Sequence, residues 1–188
     1  MKENGLIYQA KNGDRTAFNS LIQAHRDIMF RYAFLIVYDA HIAEDVTQEA
    51  VLRIYKHLDG FDENYAFRPW ALQITRNIAR NHNRSWGRYK NMLMRFMSFQ
   101  YNENSDIESL SLAQQAAKQL HEAVQKLSVD HQDVIYARFF LEMSVEESAK
   151  ILDIAEGTVK SRSHRALNQL KTVIDEQYPQ LKPEASDE

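Results

Sequence analysis

The sequence has no cysteine, few residues that break helices, and no apolar run long enough to cross a membrane. Its 188 residues include 5 glycines and 3 prolines, too few for the many tight turns of a sheet protein. The lack of cysteine excludes disulfides and thiolate chemistry and fits a reducing compartment. No N-terminal stretch resembles a signal peptide, and no stretch of about 20 apolar residues could span a bilayer. We therefore expect an all-α protein of the cytoplasm.

Charge of one sign is not in excess either. The formal net charge is −3, which argues against indiscriminate coating of nucleic acid, so any contact with DNA has to come from local basic clusters. The 44% of hydrophobic residues suffice for one core or two small ones. The seven histidines show no metal-ligand spacing, and His25 lies on an apolar stripe typical of a core. We expect no metal site and no cofactor.

Two short helical patterns joined by a turn occupy residues 144–174. Ser144 and Glu147 have the spacing of a capping box at the start of the first helix, and Asp153 lies in the turn. The second helix is apolar on one side, and on the other it carries Ser161, His164, Arg165 and Asn168, flanked by Lys160 and Lys171. This pattern predicts a helix-turn-helix that reads base edges in the major groove. The alternative is an amphipathic surface helix without a ligand.

A basic stripe follows a helix predicted to begin near Pro69. Its members recur every four residues and are Arg76, Arg80, Arg84 and Arg88. No acid occurs between residues 67 and 99. Like charges at this spacing cost a helix about 0.2–0.5 kcal/mol per pair, which favours an anionic partner such as the phosphates of DNA. A basic face that serves only solubility is the alternative.

Residues 42–58 form a third amphipathic pattern whose polar side contains two apolar residues. Asp45, Gln48 and Glu49 lie opposite the apolar stripe, and Leu52 and Tyr55 lie among them. These two residues either contact another helix of the same fold or anchor a protein partner ringed by the acids.

Taken in this order, the three segments resemble the extracytoplasmic-function group of bacterial RNA polymerase sigma factors, which have two domains. Residues 43–49 (AEDVTQE) look like the family's core-binding motif DLVQE, and residues 70–77 (WALQITRN) are similar to its WLYRIARN. Residues 157–162 (GTVKSR), followed by Arg165 and Ala166, match its GTVKSR and RA almost letter for letter. The resemblance covers nearly all of the chain.

The resemblance implies three binding surfaces and no catalytic residue. The core polymerase surface, which grips the clamp coiled coil of the β′ subunit, would comprise Asp45, Gln48, Glu49, Leu52 and Tyr55. The −10 surface would comprise Phe61, Trp70, Arg76, Asn77, Arg80 and Arg84, with residues 58–67 shaping a pocket for a flipped base. The −35 surface would comprise Lys160, Ser161, Arg162, His164 and Arg165. Trp70 either wedges at the edge of the melted DNA or packs in the core, and its place on the apolar face favours packing.

The same resemblance implies the domain order and the partners. Residues 1–85 would form the region 2 domain and residues 113–178 the region 4 helix-turn-helix domain. In the second domain we expect five apolar residues to pack against the helix-turn-helix: Ala123, Leu127, Val134, Ile135 and Phe139. A flexible linker, residues 86–112, would join them, although residues 92–99 are too apolar to be only a tether, and residues 179–188 would be a disordered tail. The partners would be core RNA polymerase, including the β flap, promoter DNA and an anti-sigma factor, with no small-molecule substrate. This chain departs from the family pattern at Asp153, where the family usually has glycine, and at Ser163, where it favours leucine or isoleucine. Aspartate tolerates a left-handed conformation, so we expect Asp153 to take the place of the glycine.

Two other classes of function fit the sequence less well. A helix-turn-helix regulator that acts without replacing a sigma factor would need an effector or receiver domain, and the N-terminal half has no alternating strand pattern. An enzyme could use carboxylate pairs such as Glu146 with Glu147. Those pairs lie on polar helix faces without a glycine-rich loop, a nucleophile motif or a metal set. The sequence therefore predicts a sigma factor rather than an enzyme.

Overall fold

The computed structural model describes residues 3–96 and 112–181, in which every regular element is helical. In the first range these are α1 (Glu3–Lys11), α2 (Arg15–Val37), α3 (Ala40–His57), a 3₁₀ turn (Leu58–Gly60) and α4 (Phe67–Phe96). In the second they are α5 (Leu112–Gln125), α6 (Val129–Ile135), a π-helical turn (Tyr136–Phe140), α7 (Val145–Leu152), α8 (Glu156–Gln177) and a 3₁₀ turn (Pro179–Leu181). The chain divides into two compact units near residue 97. The predicted all-α class with two helical domains is confirmed.

The segment between the units differs from the predicted linker. Helix α4 continues to Phe96, eleven residues past the expected boundary at 85, and it includes the first part of the apolar stretch 92–99. No proline occurs between Pro69 and Pro179 to end the helix earlier. Residues 97–111 lie outside the described residues. The predicted disordered tail begins with a 3₁₀ turn, and its remainder, residues 182–188, also lies outside them.

Helix α2 is the centre of the first unit and packs against α1, α3 and α4. It begins where the Asp14 carboxylate accepts hydrogen bonds from the backbone N–H groups of Thr16 and Ala17, at 2.8 and 3.1 Å. Nine of its residues are buried. His25 is one of them, and its Nε2 lies 3.1 Å from the Glu3 carboxylate of α1. The prediction of a satisfied core histidine is confirmed.

The connection from α2 to α3 is a sharp corner of two residues. Tyr38 adopts a left-handed conformation with φ 53°, which costs a residue other than glycine roughly 1–2 kcal/mol. Its N–H closes α2 on the Phe34 carbonyl at 2.8 Å, and its ring contacts the Phe34 ring at 5.4 Å. Asp39 then starts α3 by accepting the N–H of Ile42 at 2.9 Å. These contacts offset the strain, and both residues between the two helices have fixed positions.

In the second unit, α6 and α5 pack against α8. Ala123, Leu127, Val134 and Ile135 are buried as predicted, but Phe139, expected in the core, is 45% exposed. The π-helical turn explains the difference. The N–H of Leu141 bonds to the carbonyl of Tyr136, five residues back, at 2.9 Å. The extra residue in this turn, which contains Phe139, changes the direction of its side chains around the helix. Tyr136 is buried instead.

The helix-turn-helix begins with the predicted capping box. The Ser144 hydroxyl accepts the N–H of Glu147 at 3.0 Å, and the Glu147 carboxylate accepts the N–H of Ser144 at 2.8 Å. Helix α7 ends in a Schellman motif, because the N–H of Ile154 bonds to the carbonyl of Ala149 at 3.1 Å. Asp153 occupies the left-handed position of this motif, with φ 55°. The expectation that aspartate here adopts the conformation usual for glycine is confirmed.

Replacing Asp153 by glycine is therefore expected to stabilise the helix-turn-helix by about 0.5–1 kcal/mol, since glycine adopts φ 55° without a steric penalty. Asp153→Ala keeps the penalty and is the matched control, with an expected change near zero or slightly destabilising. The measurement is urea unfolding of the full chain, followed by circular dichroism. If the glycine variant is no more stable than the alanine variant, the turn is not strained.

A buried histidine makes the stability of the second unit depend on pH. His121 stacks on Tyr136 with ring centroids 6.3 Å apart, and Gln125 Nε2 lies 3.3 Å from its Nε2 while donating to the Tyr136 hydroxyl at 2.8 Å. Burial lowers the pKa of His121 from 6.5 to about 4. The unfolded chain therefore binds a proton between these pH values that the folded chain does not.

Because the folded pKa lies below the unfolded one, acidification from pH 6.5 to about 4 should progressively destabilise this unit, by on the order of 3 kcal/mol. His121→Leu should flatten this part of the pH profile, whereas His164→Gln, at an exposed position of the same unit, should leave it unchanged. Urea unfolding at several pH values measures both. A profile equally steep in His121→Leu would exclude His121 as its source.

Candidate functional site

The polar side of α3 presents all five residues predicted for a protein partner. We name this set the α3 outer face: Asp45, Gln48, Glu49, Leu52 and Tyr55. All five are exposed, with Leu52 at 61% and Tyr55 at 53%. The Tyr55 ring contacts the Phe18 ring of α2 edge-on at 5.1 Å. For Tyr55, the alternative of contact with another helix of the same fold is therefore also correct. The opposite side of α3, which contains Ala43, Val46, Ala50 and Ile54, is buried, so the outer face is not needed for the core.

Charge on the α3 outer face is partly balanced within the unit. Glu49 pairs with Arg53 one turn along the helix, and Glu44, next to the face, pairs with Arg26 of α2. Gln48 donates to the same Glu44 carboxylate at 3.1 Å. Exposed pairs of this kind contribute only about 0–1 kcal/mol to stability. A cationic partner could therefore replace Arg53 at little expense to the fold.

The predicted arginine stripe lies on α4. We define it by the three residues whose side chains the structure describes, Arg76, Arg80 and Arg84. Arg84 is exposed and the other two are half-buried. Arg76 donates to the exposed amide of Asn77 at 3.2 Å. The side chain of Arg88 lies outside the described part of the chain. Asn77 and the stripe thus share one side of α4, as the helical spacing predicts.

A groove of about 480 Å³ lies between α3 and α4 and joins these two surfaces. Asp45 and Glu49 of the α3 outer face line one side, and Asn81 and Arg84 line the other, over a floor that includes Val46 and Ile78. The sequence did not predict this groove, because its two sides come from different helices whose lining residues are 25 or more positions apart. It brings acidic and basic groups of different predicted roles into one concave site.

The loop of residues 58–66, which connects α3 to α4, is held by an aromatic cluster. The Phe61 ring lies 5.8 Å from Phe67 and 4.8 Å from Trp70, and Trp70 lies 5.7 Å from Phe67. Trp70 is half-buried in this cluster, as the packing alternative predicted. Phe61 is only 5% exposed, so the structure does not place its ring where DNA could contact it directly. The assignment of Phe61 to the −10 surface stays a prediction, and its ring packs against Phe67 and Trp70 beneath the loop.

One residue that contacts this loop was missed by the sequence analysis. Lys11, at the end of α1, donates to the Phe61 carbonyl at 2.8 Å and pairs with Glu63 at 3.0 Å. A contact between positions 50 residues apart leaves no trace in helical periodicity or in local motifs. Within the loop, Asp62 accepts bonds from the backbone and side-chain nitrogens of Asn64, at 3.0 and 2.8 Å. The loop is thus ordered both internally and from α1.

On α8 the predicted polar side faces solvent. The exposed residues of this α8 outer face are Lys160, Ser161, His164, Arg165 and Asn168. Arg165 Nε donates to the Ser161 carbonyl at 3.2 Å, and the Asn168 amide lies 3.1 Å from His164 Nε2. Val159, Ala166 and Leu170 are buried on the other side, as predicted, whereas Leu167 is exposed.

Arg162 occupies a different position from the other predicted −35 residues. Its guanidinium pairs with the Asp130 carboxylate of α6 at 3.0 Å, and its side chain is 27% exposed. A second contact, between His131 Nδ1 and Gln169 Oε1 at 2.8 Å, joins the same two helices. Arg162 therefore helps to hold α8 on α6, and contact with DNA would have to compete with this ion pair.

Neither a metal centre nor a membrane helix is found in the part of the chain that the structure describes. Within residues 3–96 and 112–181, no cluster of histidine, aspartate or glutamate side chains could hold a metal ion. Over the same residues, no helix combines the length and the apolar character needed to cross a bilayer.

Comparison with protein families identifies both units. Residues 21–89 match the family described as sigma-70 region 2, and residues 117–170 match the family described as sigma-70, region 4. The first match contains α3, the loop and the arginine stripe, and the second contains the helix-turn-helix.

Curated proteins are similar to the chain over most of its length. It is 30% identical over 168 residues to the ECF RNA polymerase sigma factor SigL of Mycobacterium tuberculosis (strain ATCC 25618 / H37Rv), which covers 89% of this chain and 94% of that protein. It is 28% identical over 177 residues to the ECF RNA polymerase sigma factor SigW of Bacillus subtilis (strain 168), covering 88% of this chain and 92% of that protein.

Solved structures with the same fold are CnrH in complex with the cytosolic domain of CnrY and the sigma factor RpoE of Bartonella quintana in complex with the anti-sigma factor NepR. CnrH is 22% identical with a TM-score of 0.70, covering 92% of this chain and 97% of that chain. RpoE is 23% identical with a TM-score of 0.65, covering 85% of this chain and 98% of that chain. At these identities the likeness supports the fold alone.

Proposed function

We propose how the surfaces of this chain, which belongs to the extracytoplasmic-function family of RNA polymerase sigma factors, divide the work of promoter recognition. The chain is an alternative sigma factor that directs RNA polymerase to promoters. In our assignment, the α3 outer face binds core polymerase, the loop and the arginine stripe bind the −10 element, and the α8 outer face binds the −35 element. It acts as an initiation factor in the cytoplasm, without catalytic activity of its own.

The observation that carries the proposal is the exposure of Leu52 and Tyr55 on a helix whose other side is fully used by the core. Apolar anchors surrounded by polar groups are the usual centre of a protein interface. Asp45 and Glu49 add negative charge around them, which suits a basic partner. We assign this face to the clamp coiled coil of the β′ subunit.

The −10 element is assigned to the loop and the stripe because they offer different chemistry on adjoining elements. The arginines can follow the phosphates of the melting strand, where each contact adds affinity without sequence preference. The exposed amide of Asn77 can read the edge of a base, and extruding that base from the stack costs a few kcal/mol. Trp70 and Phe61 support the loop from below.

The −35 element is assigned to Lys160, Ser161, His164 and Arg165 on the exposed side of α8. Arg165 can pair with a guanine edge, and Lys160 can contact a phosphate or a guanine. Arg162 is assigned a positioning role through Asp130, because its guanidinium is already paired inside the unit. We further propose contacts with the β flap and regulation by an anti-sigma factor, a kind of partner that the RpoE structure of Bartonella quintana contains.

The core-binding assignment predicts that Glu49→Lys combined with Leu52→Ala weakens association with core polymerase by about 2–4 kcal/mol. The free energy of unfolding should change by less than about 1 kcal/mol, because neither side chain is buried. Asp27→Lys, a matched charge reversal at an exposed position of α2, should preserve both properties. Affinity for core polymerase and thermal melting are measured side by side, and unfolding of the double variant would show that the face belongs to the core.

The two DNA assignments predict different responses to substitution. Arg165→Ala should remove about 1–3 kcal/mol of preference for one −35 base. Transcription from promoters that lack that base should be unaffected. Arg80→Ala with Arg84→Ala should weaken every promoter alike and lower the salt slope by roughly one per contact removed. Asn77→Ala should relax choice at one −10 base and leave the salt slope unchanged.

Transcription by the reconstituted holoenzyme, on promoter variants at several salt concentrations, separates these responses. Arg15→Ala, at an exposed position at the start of α2, controls for the loss of positive charge and should not change the salt slope. An unchanged slope in the double arginine variant would mean that the stripe is only a solvated face.

A further inference from the structure

Recognition of a base by the loop of residues 58–66 requires that the loop hold one conformation. Its residues from Asp62 to Ala66 are exposed, and only Leu58–Gly60 form a regular turn. Binding groups on loops are imprecise unless neighbouring side chains fix them. The contacts that order this loop are therefore part of the recognition chemistry.

Bonds inside the loop fix its local shape but not its position. Asp62 accepts two hydrogen bonds from Asn64, and the N–H of Tyr65 bonds to the Asp62 carbonyl at 3.0 Å. All of these bonds join residues within three positions of one another, so they would survive a movement of the whole turn. Position relative to the helices has to come from contacts outside the loop.

Two such contacts converge on Phe61. Its ring is buried against Phe67 and Trp70, and its carbonyl accepts a hydrogen bond from Lys11 Nζ at 2.8 Å. The same ammonium group pairs with Glu63 at 3.0 Å, so Lys11 holds the loop on both sides of Asp62. The Lys11 side chain is 21% exposed, and charge-assisted bonds in such a partly buried place are among the stronger ones.

Helix α1 gives Lys11 a fixed base. Ile7 and Ala10 are buried against the unit, and Glu3, at the other end of the helix, lies 3.1 Å from His25 of α2. Because α1 is attached to the unit through Glu3, Ile7 and Ala10, its backbone cannot move with the loop. A displacement of the loop would therefore break the bonds from Lys11. The helix acts as a strut between the core and the loop.

We propose that Lys11 is a positioning residue for the −10 element, which holds the loop of residues 58–66 in the conformation that accepts a base and does not contact DNA itself. The inference rests on the −10 function proposed above for this loop. Lys11 precedes residue 21, where the match to sigma-70 region 2 begins, so the family comparison assigns it no role.

The test compares Lys11→Met, which keeps the apolar stem and removes the donors, with Lys11→Arg, which keeps the charge and the donors. Glu63→Gln removes the ion pair and keeps the bond to the Phe61 carbonyl. Lys126→Met, at an exposed position of the second unit, is the matched control for charge. The readouts are holoenzyme transcription on promoters altered singly at each −10 and −35 position, and amide hydrogen exchange of residues 58–66 in the free chain.

In Lys11→Met we expect the ratio of transcription from the preferred to the substituted −10 base to fall by about three- to tenfold. Exchange in residues 58–66 should accelerate, while −35 preference stays the same. Lys11→Arg should largely restore the ratio, and Glu63→Gln should give an intermediate value. If Lys11→Met does not fold, Lys11→Gln, whose amide is too short to reach both partners, is judged by the same criteria.

Faster exchange with an unchanged −10 ratio would overturn the proposal, because Lys11 would then order the loop without affecting recognition. A uniform loss of transcription on all promoters would overturn it as well. These results differ from failure of the underlying assignment, in which the unmodified holoenzyme would itself show no preference at the −10 position that the loop is proposed to read.

Discussion

The packing of one side of α2 against three other helices is the constraint on which the first unit depends. Met29, Tyr32 and Ala33 are completely excluded from solvent, and α1, α3 and α4 surround them. Because α3 and α4 each bury their apolar side in this shared core, only their polar sides remain for other molecules. The surface proposed for polymerase and the surface proposed for DNA are therefore the outer sides of two helices whose inner sides pack together.

Much of this architecture follows from local patterns in the sequence. The 3.6-residue period predicted α3 and α8, and Ser144 with Glu147 predicted the start of α7, because these signals act within one or two turns of helix. The bounds that depend on distant packing were harder to predict. Helix α4 continues past residue 85, and Phe139 leaves the core because it lies in a π-helical turn that no local pattern indicated.

In the candidate site, too, the features set by local periodicity could be predicted and those set by packing between elements could not. Exposure of the α3 and α8 outer faces could be predicted, since each is the reverse of an apolar stripe. The environment of Phe61, Arg162 and Lys11 could not, because each is determined by a partner on another element of the fold: Trp70, Asp130 and the loop itself. A family resemblance suggests where DNA is bound, but only the packing distinguishes residues that reach the surface from those that support it.

The corner between α2 and α3 has a consequence for the kinetics of complex formation. Tyr38 and Asp39 join the helices with no spare residue, so the backbone that presents Leu52 and Tyr55 is already ordered in the unbound chain. Docking then costs side-chain entropy but no folding of the backbone, and a preformed patch of this kind associates at the rate set by diffusion, orientation and charge. Substitutions at this proposed face that leave its charge unchanged are consequently expected to alter the lifetime of the complex rather than the speed of its formation.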